Sequence, residues 1–164
     1  MAKAVAETRG EQVEEHTETQ MKVYIDAFIS DKYIQSSNER MVAYKNIATI
    51  KSQEDKEQIL SELESKFGKV PKETQNLVDI AYVKNLAGNL NITEMFVSKS
   101  SAYLQFEKRD DITNNQSIAK AIYKYRNECY LDFSDSPKIK FNISQDAAQN
   151  YILVKEFIIK ATNS

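Results

Sequence analysis

The chain has 164 residues, of which 41% are hydrophobic and 28% charged, and its net charge at pH 7 is −2. This composition is ordinary for a globular protein, and the slightly acidic balance argues against a free-standing nucleic-acid binder. One cysteine excludes an intrachain disulfide, and no apolar run reaches the roughly 18 residues that a membrane span needs. We therefore expect a cytoplasmic chain with no membrane partner.

Common cofactor and catalytic motifs have no counterpart in this sequence. Its three glycines, Gly10, Gly68 and Gly88, fit neither a Walker A loop nor a dinucleotide fingerprint. His16 and Cys129 are the only soft metal ligands, too few for a zinc cluster. Cys129 lies in an alternating strand pattern, which favours a small buried hydrophobic residue over a nucleophile. We expect no catalytic residue, metal or cofactor in this chain.

In chain order, residues 1–20 come first. They are polar and acidic, and their helix-like part, AKAVAETRGE, stops at Gly10. They offer no apolar face for burial, so we expect a flexible linker or tail; the alternative is the end of a helix from a preceding domain. The pattern then alternates, with Met21, Val23 and Ile25 on one side, as in a strand with one buried face.

The segment SSNERMVAYKNIATIKS predicts the first helix of the helical half. Ser37 or Asn38 can cap its N-terminus. Apolar residues recur at helical spacing, and the face that we expect to be buried consists of Met41, Tyr44, Ile47 and Ala48.

A second helix is predicted between two local signals. Ser52 and Asp55 resemble a capping box at its start, and Gly68 can adopt the positive φ that ends it. The apolar stripe between them consists of Ile59, Leu60, Leu63 and Phe67.

A third helix is predicted from Pro71 to about Leu90. Pro71 suits the first turn of a helix, and apolar residues then cover most of the circumference. We expect this helix to be the central and most buried one, with Gly88 allowing close helix packing.

After residue 93 the pattern becomes hairpin, helix, hairpin, helix. Each of the segments EMFVSKSSAYLQFEK and CYLDFSDSPKIKFNI contains two short alternating runs around a turn. The segment NQSIAKAIYKYRN predicts one helix, and Ser144 is expected to cap the last one. Its predicted stripe consists of Ala148, Tyr151, Ile152, Lys155, Ile158 and Ile159.

These elements predict an α+β fold, with a helical N-terminal half followed by two ββα units that share an antiparallel sheet. Leu104 and Ile139 are 35 residues apart, as are Phe106 and Phe141, which indicates a weak repeat. Sharing one sheet buries both hairpins, and both helices can then lie on one face. We expect one domain over residues 21–164, with a helical part at 33–92 and a repeat part at 93–162.

A cluster of aromatic and basic residues occurs late in the chain. It consists of Lys120, Tyr123, Lys124, Tyr125, Arg126 and Tyr130. Such a cluster can form a stacking surface for single strands. The alternative, which we favour because acidic residues flank the cluster, is a set of half-buried aromatic side chains on an amphipathic helix and a strand.

Several motifs occur in a familiar order: IDAFISDKYIQSSNERMVAYKNIA, then ELESKFGKVP, then LVDIAYVKNLAGNLNI. Together they resemble the C-terminal domain of the bacterial transcription-repair coupling factor (Mfd) family, over residues 21 to 107. The matching positions are Tyr33-Ile34, Arg40, Tyr44-Lys45, Ile47-Ala48, Glu62-Leu63, Phe67-Gly68 and Pro71.

The resemblance implies a non-catalytic, autoinhibitory domain. Members of the family are ATP-dependent DNA translocases that displace RNA polymerase stalled at lesions and recruit nucleotide excision repair. Their ATP and Mg sites, and their polymerase and DNA contacts, lie upstream of this domain. This chain would then be an excised fragment, with residues 2–9 matching the tail of the last motor domain.

The resemblance also implies an interdomain interface. In the family, a Glu, Asp and Arg in this motif hold the UvrB-like N-terminal domain of the same protein and so mask its UvrA-binding surface. Carried over, the candidates are Glu62, Ser65 and Lys66, although Ser65-Lys66 replaces Asp-Arg, and Ser30 replaces a proline. UvrA and RNA polymerase would be indirect partners, with no direct DNA binding. The alternative is a direct nucleic-acid- or RNA-polymerase-binding module.

Overall fold

In the computed structural model, the described residues are 16–163, and they form five strands and six helices. The predicted helix-like part of the tail lies outside this range. The elements in chain order are β1 (Gln20–Val23), α1 (Ser37–Ala48), α2 (Gln53–Phe67), α3 (Lys72–Asn89), β2 (Ile92–Val97), β3 (Ala102–Phe106), α4 (Asp110–Thr113), α5 (Gln116–Lys124), β4 (Cys129–Asp132), β5 (Lys138–Phe141) and α6 (Ala147–Thr162).

Helix α1 forms where it was predicted, but its cap and its buried face differ from the prediction. The N-cap is Ser36, whose side chain accepts from the Glu39 amide, so Ser37 and Asn38 lie inside the first turn. The buried residues are Ala43 and Ile47, whereas Met41 is 57% exposed. The predicted face of Met41, Tyr44 and Ala48 is therefore wrong. Helix α1 contacts the remainder of the domain through a narrower stripe than its apolar content indicates.

The local signals around α2 act as predicted. The Ser52 hydroxyl accepts a 3.1 Å bond from the Asp55 amide, and Asp55 accepts one of 3.0 Å from the amide of Lys51. At the other end, Gly68 has φ of 90° and donates to the Glu64 carbonyl at 2.9 Å. Pro71 then caps α3 in an extended conformation. Helix α2 therefore has sharply defined ends.

Helix α3 is central, as predicted, because it contributes to both apolar clusters of the described chain. Val78 is buried in the smaller cluster, among residues of α1, α2 and the preceding loop. Val83 and Leu86 are buried in the larger cluster, which also contains the sheet residues and α6. The helix thus connects the helical half to the ββα half.

The extended segment before β1 packs against the end of α3. The Thr17 amide donates to the Gly88 carbonyl at 3.2 Å, and the Thr19 hydroxyl, 2% exposed, donates to the carbonyl of Ile92 at 2.6 Å. A Cβ at Gly88 would collide with the Thr17 carbonyl oxygen. Gly88 therefore admits this segment, and not another helix as expected. Residues 16–20, which the sequence assigns to a flexible tail, are part of the packed structure.

The sheet has the strand order β1-β2-β3-β5-β4, so the two hairpins meet at β3 and β5. Leu104 pairs directly with Ile139, its equivalent in the repeat, as a local two-fold axis between the hairpins requires. Helices α5 and α6 pack against each other, and α6 also packs on β2 and β3. The predicted α+β fold with two ββα units is confirmed. The additional strand β1 pairs in parallel with β2, which makes the sheet mixed.

The last helix and the edge strand depart from their predicted faces. The N-cap of α6 is Asp146 and not Ser144 as predicted. The Ser144 hydroxyl lies outside the helix and accepts a hydrogen bond from the Asp146 amide. Val154 and Phe157 are buried on α6, and Ile152 is 48% exposed. Ala148 is exposed as well. On the edge strand β4, Leu131 is 42% exposed, although Cys129, two residues earlier on the same face, is buried.

Candidate docking site between helices α1 and α2

The three residues predicted for an interdomain contact are all exposed on the last turns of α2. Glu62 and Lys66 are one helical turn apart and therefore project from the same face. Ser65 is exposed but does not line the neighbouring groove. The geometry thus brings Glu62 and Lys66 together and leaves Ser65 beside them.

A groove of about 240 Å³ lies between α1 and α2, directly next to these charges. Its apolar lining consists of Val42, Ala43, Ile59, Leu63 and Phe67. Its polar lining consists of Asn38, Glu39, Asn46, Glu62 and Lys66. An apolar floor with a charged rim is the usual composition of a modest protein–protein contact.

The rim charges are weakly engaged within the chain. Lys66 Nζ lies 3.9 Å from Glu39 Oε2, and the two side chains are 69% and 47% exposed. Glu62 accepts a 3.2 Å bond from Gln58 on the preceding turn. Exposed pairs of this kind contribute between about 0 and 1 kcal/mol, so a partner can replace them at little cost.

Two further motif residues, Tyr33 and Arg40, lie outside the groove and donate to backbone carbonyls around the end of α2 and in the loop before α1. The Tyr33 hydroxyl lies 3.1 Å from the Leu63 carbonyl and 2.9 Å from that of Gly68, and its ring packs edge-on against Phe67 at 5.9 Å. Arg40 Nη1 donates to the carbonyl of Ile34 at 2.7 Å. The contacts of Tyr33 fix the C-terminal end of α2, next to Lys66.

Sequence reasoning missed the residues that α1 contributes. Glu39, Val42 and Asn46 line the groove at helical spacing, and Val42 is 56% exposed. The apolar pattern assigns the buried face of α1 to neighbouring positions. The spacing of Glu39, Val42 and Asn46 could have indicated this wall of the groove, because it places one acidic, one apolar and one amide side chain on a single helix face.

We also considered a reactive cysteine, a metal site and a membrane-spanning helix within residues 16–163. Cys129 is buried, as predicted, and burial raises the pKa of its thiol to about 11, which disfavours the nucleophilic thiolate. No group of three His, Cys, Asp or Glu side chains within residues 16–163 is arranged to hold a metal. Over the same range, no helix is long and apolar enough to cross a membrane.

The tyrosines of the aromatic cluster separate in the structure. Tyr125 is half-buried, and its ring centre lies 6.0 Å from that of Phe157. This agrees with the favoured interpretation of the cluster as half-buried aromatic side chains. Tyr130 lies on β4 and is 52% exposed, and Tyr123 is 69% exposed on α5. The prediction that all of them are half-buried is therefore wrong for Tyr123 and Tyr130.

The fold is that of a small α+β domain, with an apolar groove and a charged rim between α1 and α2. A family model described as the TRCF domain matches residues 23–117. The chain therefore belongs to the TRCF domain family.

Curated relatives are transcription-repair-coupling factors. That of Borreliella burgdorferi is 26% identical over 163 residues, which cover 98% of this chain and 14% of the relative. That of Bacillus subtilis is 31% identical over 85 residues, covering 51% of this chain and 7% of the relative. The chain thus spans only a small part of the relatives that it matches.

A solved structure has the same fold. It is a crystal structure of the C-terminal domain of a transcription-repair coupling factor, with a TM-score of 0.72 and 20% identity. The match covers 90% of this chain and 96% of the other.

Proposed function

We propose that this chain is the non-catalytic, autoinhibitory C-terminal domain of a transcription-repair coupling factor. Its full-length parent would be an ATP-dependent DNA translocase that removes RNA polymerase stalled at lesions and recruits nucleotide excision repair. The domain would bind the UvrB-like N-terminal domain of the same protein and cover its UvrA-binding surface. The supporting observation is the position of Glu62 and Lys66, both exposed on the rim of the groove between α1 and α2.

The groove supplies the two components that a reversible interface needs. Its apolar floor contributes area that a partner can remove from water, and Glu62 and Lys66 supply opposite charges that set the orientation. An interface worth about 3 kcal/mol would keep the closed state populated at about 99%, and a loss of about 1.4 kcal/mol would raise the open fraction about tenfold.

The substitution of Ser65-Lys66 for Asp-Arg changes the expected chemistry of the contact. Lysine is a point charge and does not form the bidentate fork that arginine makes with a carboxylate. Ser65 provides a hydroxyl and no charge. We expect Lys66 to pair with a single carboxylate of the partner. We expect the charge of Glu62 to contribute most to the orientation of the partner.

Calorimetric mixing of the 164-residue chain with the UvrB-like domain of the same parent tests this function. We expect measurable association that Glu62→Lys weakens about tenfold. Glu57→Lys is the matched control, because Glu57 is also exposed on α2, accepts from Gln53 one turn earlier, and lies outside the groove. No association of the wild-type chain, or equal weakening by both variants, would overturn the proposal.

A further inference from the structure

A second surface, built by α5 and α6, has a composition unlike that of the chain as a whole. We call it the Tyr123 patch; it is lined by Ala119, Lys120, Tyr123, Lys124, Arg126 and Lys160. Four of these six residues are cationic and none is acidic, although acidic residues outnumber basic ones 24 to 22 in the chain. The average charge therefore conceals a local basic surface.

Tyr123 belongs to neither apolar cluster of the described residues. Its side chain is 69% exposed, whereas Tyr125 beside it is half-buried against Phe157. The Arg126 guanidinium lies 4.5 Å from the centre of the Tyr123 ring and donates to the Tyr123 carbonyl at 2.8 Å. An exposed aromatic ring is thus held beside a fixed cation.

Three cations of the patch, Lys120, Lys124 and Arg126, have no close carboxylate partner among the described residues. None of the ion pairs formed within residues 16–163 involves Lys120, Lys124 or Arg126. Burial, followed by the charges of Glu156 and Glu128, raises the pKa of Tyr125, so negative charge borders the patch. This border limits affinity but leaves Lys120, Lys124 and Arg126 available to a ligand.

The form of the patch indicates an extended anionic ligand. The depression measures about 640 Å³, more than a single small anion fills, and its cations are spread over two helices. Lysine and arginine side chains attract a phosphate backbone, and an exposed tyrosine ring can stack with an unpaired base. An acidic protein segment would match the charges but would make no use of the exposed ring.

We propose that the Tyr123 patch binds single-stranded nucleic acid, with phosphates on Lys120, Lys124 and Arg126 and a base stacked on Tyr123. The net charge of the whole chain disfavours nucleic-acid binding, but the local charge of this patch favours it. The patch uses α5 and α6, whereas the docking groove uses α1 and α2. The two proposals can therefore fail independently.

Fluorescence anisotropy of a labelled oligothymidylate of about 15 nucleotides tests the proposal on the whole chain. Binding should weaken about 20-fold between about 50 and 200 mM salt if about three phosphates are neutralised. Tyr123→Ala should weaken it about tenfold, and Tyr123→Phe should retain it because the ring remains. Tyr130→Ala, which removes another exposed tyrosine, should have no effect.

Charge is tested with a second matched pair. Lys120→Gln combined with Lys124→Gln should abolish measurable binding, whereas Lys32→Gln combined with Lys99→Gln removes two exposed lysines elsewhere and should not. Glu62→Lys should leave it intact, which separates this proposal from the docking function. Equal affinity of wild type and Tyr123→Ala would overturn the proposal. So would preferential binding of poly-glutamate over the oligonucleotide, because that result would assign the patch to an acidic protein.

Discussion

The Asp79 carboxylate accepts a buried 2.6 Å hydrogen bond from the Tyr151 hydroxyl, and this contact joins the helical half of the domain to the ββα half. Lys56 of α2 donates to the same carboxylate at 2.7 Å, and Lys155 of α6 at 3.2 Å. Three helices, α2, α3 and α6, therefore converge on one acidic group that is 8% exposed. Helix α2, which carries Glu62 and Lys66, is held in position partly through this network.

We predict that Asp79→Asn destabilises the domain by about 2–4 kcal/mol, because it leaves two partly buried lysines without a counter-charge. Urea unfolding of the chain measures the effect. Asp135→Asn is the control, because Asp135 is 93% exposed and lies 4.0 Å from Lys138, so its loss should cost less than about 0.5 kcal/mol. Equal stability of both variants would contradict the role of Asp79.

The same group predicts a dependence on pH. Burial alone would raise the pKa of Asp79, but hydrogen bonds from Lys56 and Tyr151 and the charge of Lys155 outweigh it, so the pKa lies below its usual range. A carboxyl with a lowered pKa in the folded state stabilises it above the unfolded pKa and loses that effect as pH falls through the folded value. The stability gap between wild type and Asp79→Asn should therefore be constant above about pH 5 and shrink below about pH 4.

Other carboxyls also have lowered pKa values, but their contributions to stability are the same in wild type and in Asp79→Asn and cancel in the difference. The pKa values of Glu94 and Asp132 are also lowered, chiefly by hydrogen bonds from Tyr103 and Lys140. Both groups are present in wild type and variant alike. A gap that remains constant down to about pH 3 would show that Asp79 does not carry the effect.

We predict that Gly88→Ala destabilises the chain by about 1 kcal/mol, although alanine in a helix is intrinsically favourable over glycine by about that amount. The reason is the collision of the new Cβ with the Thr17 carbonyl oxygen. Deletion of residues 1–19 removes the obstacle, so the same substitution should become stabilising in that background. Urea unfolding of wild type and Gly88→Ala, in the whole chain and in the shortened chain, measures whether the effect of the substitution on the free energy of unfolding changes sign. A stabilising Gly88→Ala in the whole chain would contradict the close packing of this segment.

We predict that Tyr33→Phe loosens the end of α2 without unfolding the domain. Removal of the hydroxyl leaves the carbonyls of Leu63 and Gly68 without this donor, at a cost of about 1 kcal/mol. Amide exchange at Phe67 and Gly68 should accelerate, while exchange in the β-sheet stays unchanged. Uniform acceleration across the domain would indicate a general loss of stability instead.

The parts of the fold that could be predicted from sequence depend on local chemistry. Ser52 and Gly68 define the ends of α2 through neighbouring backbone groups, and alternating residues define both hairpins. The parallel pairing of β1 with β2 could not be predicted in this way, because Met21 and its partner Met95 are far apart in sequence. Parallel pairing leaves no turn signal between the strands.

The candidate site was predictable in part for the same reason. Glu62 and Lys66 lie on one helix and follow from the motif of α2. The opposite wall of the groove, with Glu39 and Val42, depends on which face α1 turns toward α2. That orientation is determined by the burial of Ala43 and Ile47, a tertiary preference that the apolar pattern of α1 does not specify.

Binding of UvrA to the full-length parent protein shows whether Glu62 and Lys66 hold a masking contact. Glu62→Lys and Lys66→Glu, each made singly, should increase the affinity for UvrA, because each reverses one charge of the proposed interface. Glu57→Lys, on the same helix but outside the groove, should leave it unchanged. UvrA affinity that is the same in wild type and in both groove variants would contradict the masking function.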